Sequence, residues 1–271
     1  MIPDISKFKL PSPSPEGFQI MEMLSEVNVD LSILSDVICR DPVLSATVMK
    51  YANSPLYRRV IEIKSVHKAV NLLGIRNVAT IILIATMRSF STPPSSASDA
   101  IWNHCTGVSA LTRLIARVVD RSLQDKAEFL ATIHDIGAMT LAVNLSNYDS
   151  IYQSAIDNDI ALDQAEINAL GYSHNDISTA ALGKLKLPEE MTALIHNFHQ
   201  RPALTAIHSD DDKVSAILSL AHQLESQVHG ETRVTETMPE SIETLTVLLN
   251  LSQSRVEDII DEFEDILDQG F

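Results

Sequence analysis

Beyond residue 17, apolar side chains recur at the three- and four-residue steps of a helix, not in the alternation of a half-buried strand. Asp30 is placed to cap a helix over residues 31–39. Asp41-Pro42 joins a capping carboxylate to a proline at the first helical position. Val43, Leu44, Val48, Met49 and Ala52 then form an apolar stripe, which Asn53-Ser54-Pro55 ends. Ser65 caps a short helix to Leu73, closed by Gly74. Residues 75–90 are apolar nearly all round and rich in β-branched side chains, and their length favours a buried central helix over a strand. Ahead of all this, the proline-rich residues 10–17 read as extended chain.

The stretch 91–98, rich in Ser and Pro, is the clearest interior break and divides the chain into residues 1–95 and 96–271. Past it a long amphipathic pattern covers residues 99–119. Shorter helices are expected over 126–133, 136–145, 148–158, 162–170, 174–185, 188–198 and 210–228, with two more within 239–263. Pro188-Glu189-Glu190 is a strong helix start, with two carboxylates in the first turn. The polar residues 230–237 read as a loop or a gap. No alternating run meets an Asn-Gly or Asp-Gly turn, so no hairpin is expected. The reading is an all-α fold of two helical subdomains that share an interface.

Composition narrows the picture. The 271 residues carry 36 carboxylates against 20 Lys and Arg, a formal charge of −16. Such a surface repels phosphate backbones as a whole, and Arg58-Arg59 and Arg76 are too sparse for a nucleic-acid footprint, so no nucleic-acid partner is expected. Residues 225–268 hold 12 of the carboxylates against Arg233 and Arg255. The last helix sets these beside Ile259, Ile260, Phe263, Ile266 and Leu267, an apolar face that either packs on its own domain or meets a partner. Cys39 and Cys105 stand apart and form no CxxC pair, which fits free thiols in a reducing compartment. The N-terminus lacks an apolar signal core, and the longest apolar run, residues 78–87, falls short of the roughly 20 a membrane span needs. A cytoplasmic protein with no membrane association is expected.

The informative motif is His134-Asp135-Ile136-Gly137. An imidazole and a carboxylate at adjacent positions can both reach one divalent ion if a helix ends or kinks there. They lie between apolar runs, where polar groups need a metal or a hydrogen-bond network. His104 lies in a long amphipathic helix, His174 near a helix start, and His222 in a helix with a core-facing side. His196 and His199 are three apart on one helical face, a possible two-ligand arrangement. Phosphate-binding glycine loops, GxSxG and HExxH are absent.

At these residues the chain resembles the HDOD family, the HD-related output domains of bacterial signalling proteins, akin to the HD and HD-GYP phosphohydrolases. The resemblance runs from about Leu10 to His199 and more loosely to about Glu225. It rests on Leu10-Pro-Ser-Pro, Cys39-Arg-Asp-Pro-Val-Leu-Ser-Ala, Tyr51-Ala-Asn-Ser-Pro and Ser65-Val-His-Lys-Ala-Val-Asn-Leu-Leu-Gly74. Its second part rests on Ile101-Trp-Asn-His104, Ile133-His-Asp-Ile-Gly137, Glu166 with Leu170-Gly171-Tyr-Ser-His174, and Leu187-Pro188 with His196.

The resemblance implies a multi-helical HD-like core with an N-terminal helical subdomain, and a regulatory role exercised through other signalling proteins, often without demonstrated enzyme activity. It also implies a metal set of His104, His134, Asp135 and a late Asp. Here the matching stretch is Leu220-Ala221-His222, so the set becomes His104, His134, Asp135 and His222. Gly137-Ala138 stands where the HD-GYP enzymes have Gly-Lys, and their adjacent His-His and Gly-Tyr-Pro segments are missing, which speaks against a binuclear cyclic-dinucleotide phosphodiesterase. Three functions follow as expectations. The first is a non-catalytic module acting through protein contacts. The second is a phosphohydrolase of a phosphoester or nucleotide, dependent on Mn, Fe, Mg or Zn, with His174 or His196 contacting phosphate or shuttling a proton. The third is a remnant of that site that binds a nucleotide without hydrolysis. Partner and oligomeric state are not legible here.

Overall fold

The structure, a computed structural model, describes residues 5–23, 28–57, 62–185, 187, 189–200, 203–229 and 241–269. Among them there is no strand, and the fold is all-α. Arg58-Arg59, Pro188 and the polar stretch 230–237 lie outside the described residues, as does the His199 side chain.

The first helices start where local chemistry dictates. The residues read as extended include the start of α1 (Pro15–Met23), whose Gly17 amide donates to Ser14 Oγ at 3.2 Å. Ser14-Pro15-Glu16 is itself a start signal, a hydroxyl followed by a first-turn proline and an acid, so the extended reading stops too late. Asp30 caps α2 (Leu31–Arg40) by accepting from Ser32 N at 2.8 Å. Asp41 caps α3 (Pro42–Ala52) by accepting from Val43 N and Leu44 N.

α4 (Val66–Phe90) is two helical pieces about Gly74, whose φ of 72° and ψ of 168° interrupt the helix. That left-handed φ suits glycine. The reason α4 is apolar all round lies in its neighbours. Val78, Ile81, Ile82 and Ile84 join an N-terminal core with Ile20, Leu34, Val37, Ile38 and Val48. Ala79, Leu83, Met87 and Phe90 join a second, larger core built by the helices that follow. α4 has the length and hydropathy of a membrane-crossing helix, yet 67% of its most apolar window is buried by these two cores.

α4 gives way to α5 (Ser96–Val119) across a tight turn, so the break expected over eight residues is only residues 91–95. The helix begins earlier than its apolar pattern because Ser95 and Ser98 exchange side-chain and backbone hydrogen bonds in a capping box. α6 (Gln124–Ile133), α7 (Ile136–Asn144), α8 (Tyr148–Asn158), α9 (Leu162–Leu170), α10 (His174–Lys184), α11 (Glu189–Gln200) and α12 (Asp210–His229) follow. α13 (Ile242–Leu248) and α14 (Gln253–Gln269) end the described chain. α5 is the axis of this part and packs against α6, α12 and α14, while α7 packs against α10. α14 buries Val256, Ile259, Phe263 and Ile266 in the second core, so its apolar face is covered within the chain.

Candidate metal centre

His104 points from the buried face of α5. α6 ends at Ile133 and α7 begins at Ile136, so His134 and Asp135 form the turn between two helices. His222 comes from α12. These four side chains, from three separate stretches of chain, place one ligand atom each within 4.8 Å of one another, and all are buried.

The hydrogen bonds fix which ring nitrogens face the centre. His134 Nδ1 lies 2.7 Å from the Ala131 carbonyl, which only accepts, so Nδ1 carries the proton. His104 Nδ1 lies 2.6 Å from Glu225 Oε2, the pairing in which a carboxylate holds a ligating imidazole. Each Nε2 then faces the centre as a lone pair in the neutral ring. The two Nε2 atoms are 3.3 Å apart, His134 Nε2 is 3.3 Å from Asp135 Oδ2, and His104 Nε2 is 3.6 Å from the same oxygen. Converging Lewis bases at that spacing call for a cation between them. Tetrahedral zinc with bonds of about 2.0–2.1 Å has ligand–ligand edges of roughly 3.3–3.4 Å. The His222 ring stands edge-on to His104, 4.6 Å between centroids. The donor set and spacing therefore fit one divalent ion.

With no cation between them, the rings meet Asp135 as imidazolium groups: burial pushes its carboxyl up, but the His134 charge and hydrogen bond, together with the charges of His104 and His174, hold it well below the ordinary carboxylate range. The Cys105 thiol, buried next to them, is pushed well up by burial and by the Asp135 charge, so it stays protonated.

His174 is buried beside the four but outside the set. Its Nδ1 and backbone N–H both point to Glu166 Oε2, at 2.6 and 2.7 Å, and Tyr148 donates to the other Glu166 oxygen. Gly137 allows this approach: a Cβ there would sit 2.1 Å from the His174 carbonyl oxygen. His196 is exposed, with Nδ1 3.3 Å from Thr179 Oγ1, and is not brought to the cluster. Phe198 from the same helix instead meets the His134 ring edge-on at 6.3 Å.

Three groups escaped the sequence reading as parts of the site. Glu225 was grouped with the acidic tail, although His222-x-x-Glu225 is one helical turn and puts both on one face. Glu166 belonged to a matched segment without a role, and Tyr148 carried no signal.

The HDOD domain family model matches residues 10–201. The chain is similar to the structure of an HDOD domain protein of unknown function from Geobacter sulfurreducens, with TM-score 0.72 and 20% identity over 97% of this chain and 95% of that one. It is similar to a candidate signal transduction protein from Marinobacter aquaeolei, with TM-score 0.67 and 22% identity over 96% of this chain and 57% of that one. A candidate metal-dependent phosphohydrolase from Shewanella amazonensis gives TM-score 0.66 and 17% identity over 97% and 93%. At such identities the likeness is one of fold. No curated protein matches the chain.

Proposed function

The chain belongs to the HDOD family, and from that premise we propose that it is a non-catalytic regulatory module that acts through contacts with other signalling proteins and is built around a closed metal centre. His104, His134, Asp135 and His222 would hold the ion, with Glu225 and the Ala131 carbonyl orienting the rings. The observation that carries this reading is burial: His104 and Asp135 are 1% exposed, and His134 and His222 0%. Structural metal sites are closed by four protein ligands, whereas hydrolytic sites keep a position open to water and substrate. Acting as a partner-binding module also accords with the similarity to a candidate signal transduction protein.

The donor set itself favours the second reading, a metal-dependent phosphohydrolase, as does the likeness to the Shewanella protein. A divalent ion there would supply Lewis-acid polarisation of a phosphoryl oxygen. Reaching it would require α11 to move, because Phe198 lies over His134.

Elemental analysis of untagged protein purified without chelator, beside His134→Ala, separates the cases. Near one metal per chain, lost in the variant, with no hydrolysis of phosphoesters or nucleotides above the variant after loading with Mn, Fe, Mg or Zn, is the expected result. Hydrolysis that depends on His134 overturns the non-catalytic reading. No metal in either sample, even after loading, removes the metal centre and leaves a protonated polar cluster.

A further inference from the structure

A cleft of about 360 Å³ lies where α4, α5 and α6 meet, and none of its lining residues belongs to the His/Asp cluster. Its chemistry is unusual for a chain of charge −16. Arg113, Arg117 and Arg121 all line it, spaced four apart along α5 and the turn that follows, with Asn77, Gln124 and Asp125 completing the polar wall. We propose that this cleft binds a small organic phosphomonoester of mononucleotide size, held through Arg117 and Arg121.

The three arginines have different standing. Arg113 is fixed: it pairs with the buried Glu128, donates to Asn77 Oδ1 at 3.1 Å and stacks over the Tyr57 ring at 4.2 Å. With its charge met by Glu128, it forms a rigid polar back wall. Among the described residues Arg117 is engaged only with Glu262 of α14, by a two-pronged contact of 3.0 and 2.5 Å in which both side chains are about half exposed. Such a solvent-screened pair exchanges readily for a better anion. Arg121 is exposed and makes no ion pair among the described residues, in a chain with 36 carboxylates. Its neighbour Asp120 is turned away, accepting from Ser122 and from Lys213 at 2.9 Å.

Two solvent-facing guanidinium forks on one wall suit the doubly charged, multi-oxygen face of a phosphate better than a carboxylate. The volume lies at the lower end of the range for small-molecule sites and has room for a ring beyond the phosphate. The surrounding negative surface excludes a nucleic-acid strand by long-range repulsion. Asp125, 3.9 Å from Arg113, is the one carboxylate in the wall and limits affinity. Glu262 competes for Arg117, so an occupied cleft releases one surface ion pair between α14 and α5.

The test is calorimetric titration of the full chain with adenosine and guanosine 5′-monophosphates, with adenosine and inorganic phosphate as comparisons. Saturable binding of a monophosphate and none of adenosine is expected. Arg121→Glu, at an exposed position, should weaken binding about tenfold or more with an unchanged melting curve, and Glu262→Gln should tighten it about threefold. No saturable binding at millimolar nucleotide, or equal affinity in Arg121→Glu, overturns the site. Inorganic phosphate binding as tightly as the nucleotide overturns the organic ligand.

Discussion

Gly137→Ala offers a direct test of how α7 and α10 are joined beneath the His/Asp turn. A methyl at residue 137 would lie 2.1 Å from the His174 carbonyl oxygen, 2.5 Å from Ser178 Oγ and 2.9 Å from the His174 carbonyl carbon. A serine hydroxyl can rotate away, but a helix backbone cannot, so the two helices must part by about an ångström to reach normal contact. Forced repacking of this kind costs about 1–3 kcal/mol. Replacing a helical glycine by alanine returns about 0.5–1 kcal/mol through the unfolded chain. At the top of that range the net loss is about 2 kcal/mol, which for a chain of this size lowers Tm by roughly 4–8 °C. Gly183→Ala is the control, in α10 and exposed, with no atom within 4 Å of the added methyl. It should hold or raise Tm by a degree or two. Thermal and urea denaturation of both variants decide the matter. Equal stability of Gly137→Ala and Gly183→Ala would refute the close approach, and with it the placement of His174 by α7.

Glu225→Gln keeps the shape of the His104 partner but removes its charge, and should weaken metal retention about 10-fold or more in competition with a chelator. Glu128→Gln leaves the Arg113 guanidinium, 15% exposed, facing Tyr57 and Asn77 without its counter-charge. A loss of about 3 kcal/mol is expected by urea denaturation, against about 1 kcal/mol for Tyr57→Phe, which spares the ion pair. Asp120 is held at about 2 by hydrogen bonds from Ser122 and Lys213 and by the Lys213 charge. A depressed folded pKa gives stability that is full above the ordinary value of 3.8 and lost as pH falls towards 2. The stability difference between wild type and Asp120→Asn should therefore shrink across that window and not above it, and equal differences at pH 5 and pH 2 would contradict the pairing. Residues 1–95 and 96–271 expressed separately should each be poorly soluble, because α4 carries one face of both cores; two monomeric, well-folded fragments would show the shared helix to be dispensable.

What was legible in the sequence was mostly short-range. Asp30, Asp41 and Ser65 cap helices within three residues of themselves, so their signals survive without knowledge of the fold. The all-round apolar character of residues 75–90 announced a helix covered on every side, although which core covers which face depends on partners far along the chain. The His134-Asp135 turn was readable for the same local reason, since two polar residues interrupt two apolar runs. Glu225 was not, because its meaning depends on His104, 121 residues away. The Arg113, Arg117 and Arg121 cleft was missed because a four-residue spacing of arginines marks a solvated helix face until α4 closes over it.

His222 is where these two kinds of information meet. Against the family pattern an aspartate is missing there, which from sequence alone reads as damage to a metal site. The structure adds a carboxylate that the pattern does not count. With neutral imidazoles at His104, His134 and His222, the buried cluster carries the charges of Asp135 and Glu225, two negatives in a region 2% exposed or less. One divalent cation neutralises that set. An aspartate at residue 222 would leave a net negative charge out of contact with water, which is strongly unfavourable. The histidine is therefore the residue that balances a site in which Glu225 already supplies the second carboxylate. It follows that, loaded with metal, His222→Asp alone should melt below the pair His222→Asp with Glu225→Gln, which restores the balance. If the metal-loaded double variant melts no higher than the loaded single one, charge balance is not why histidine stands at this position.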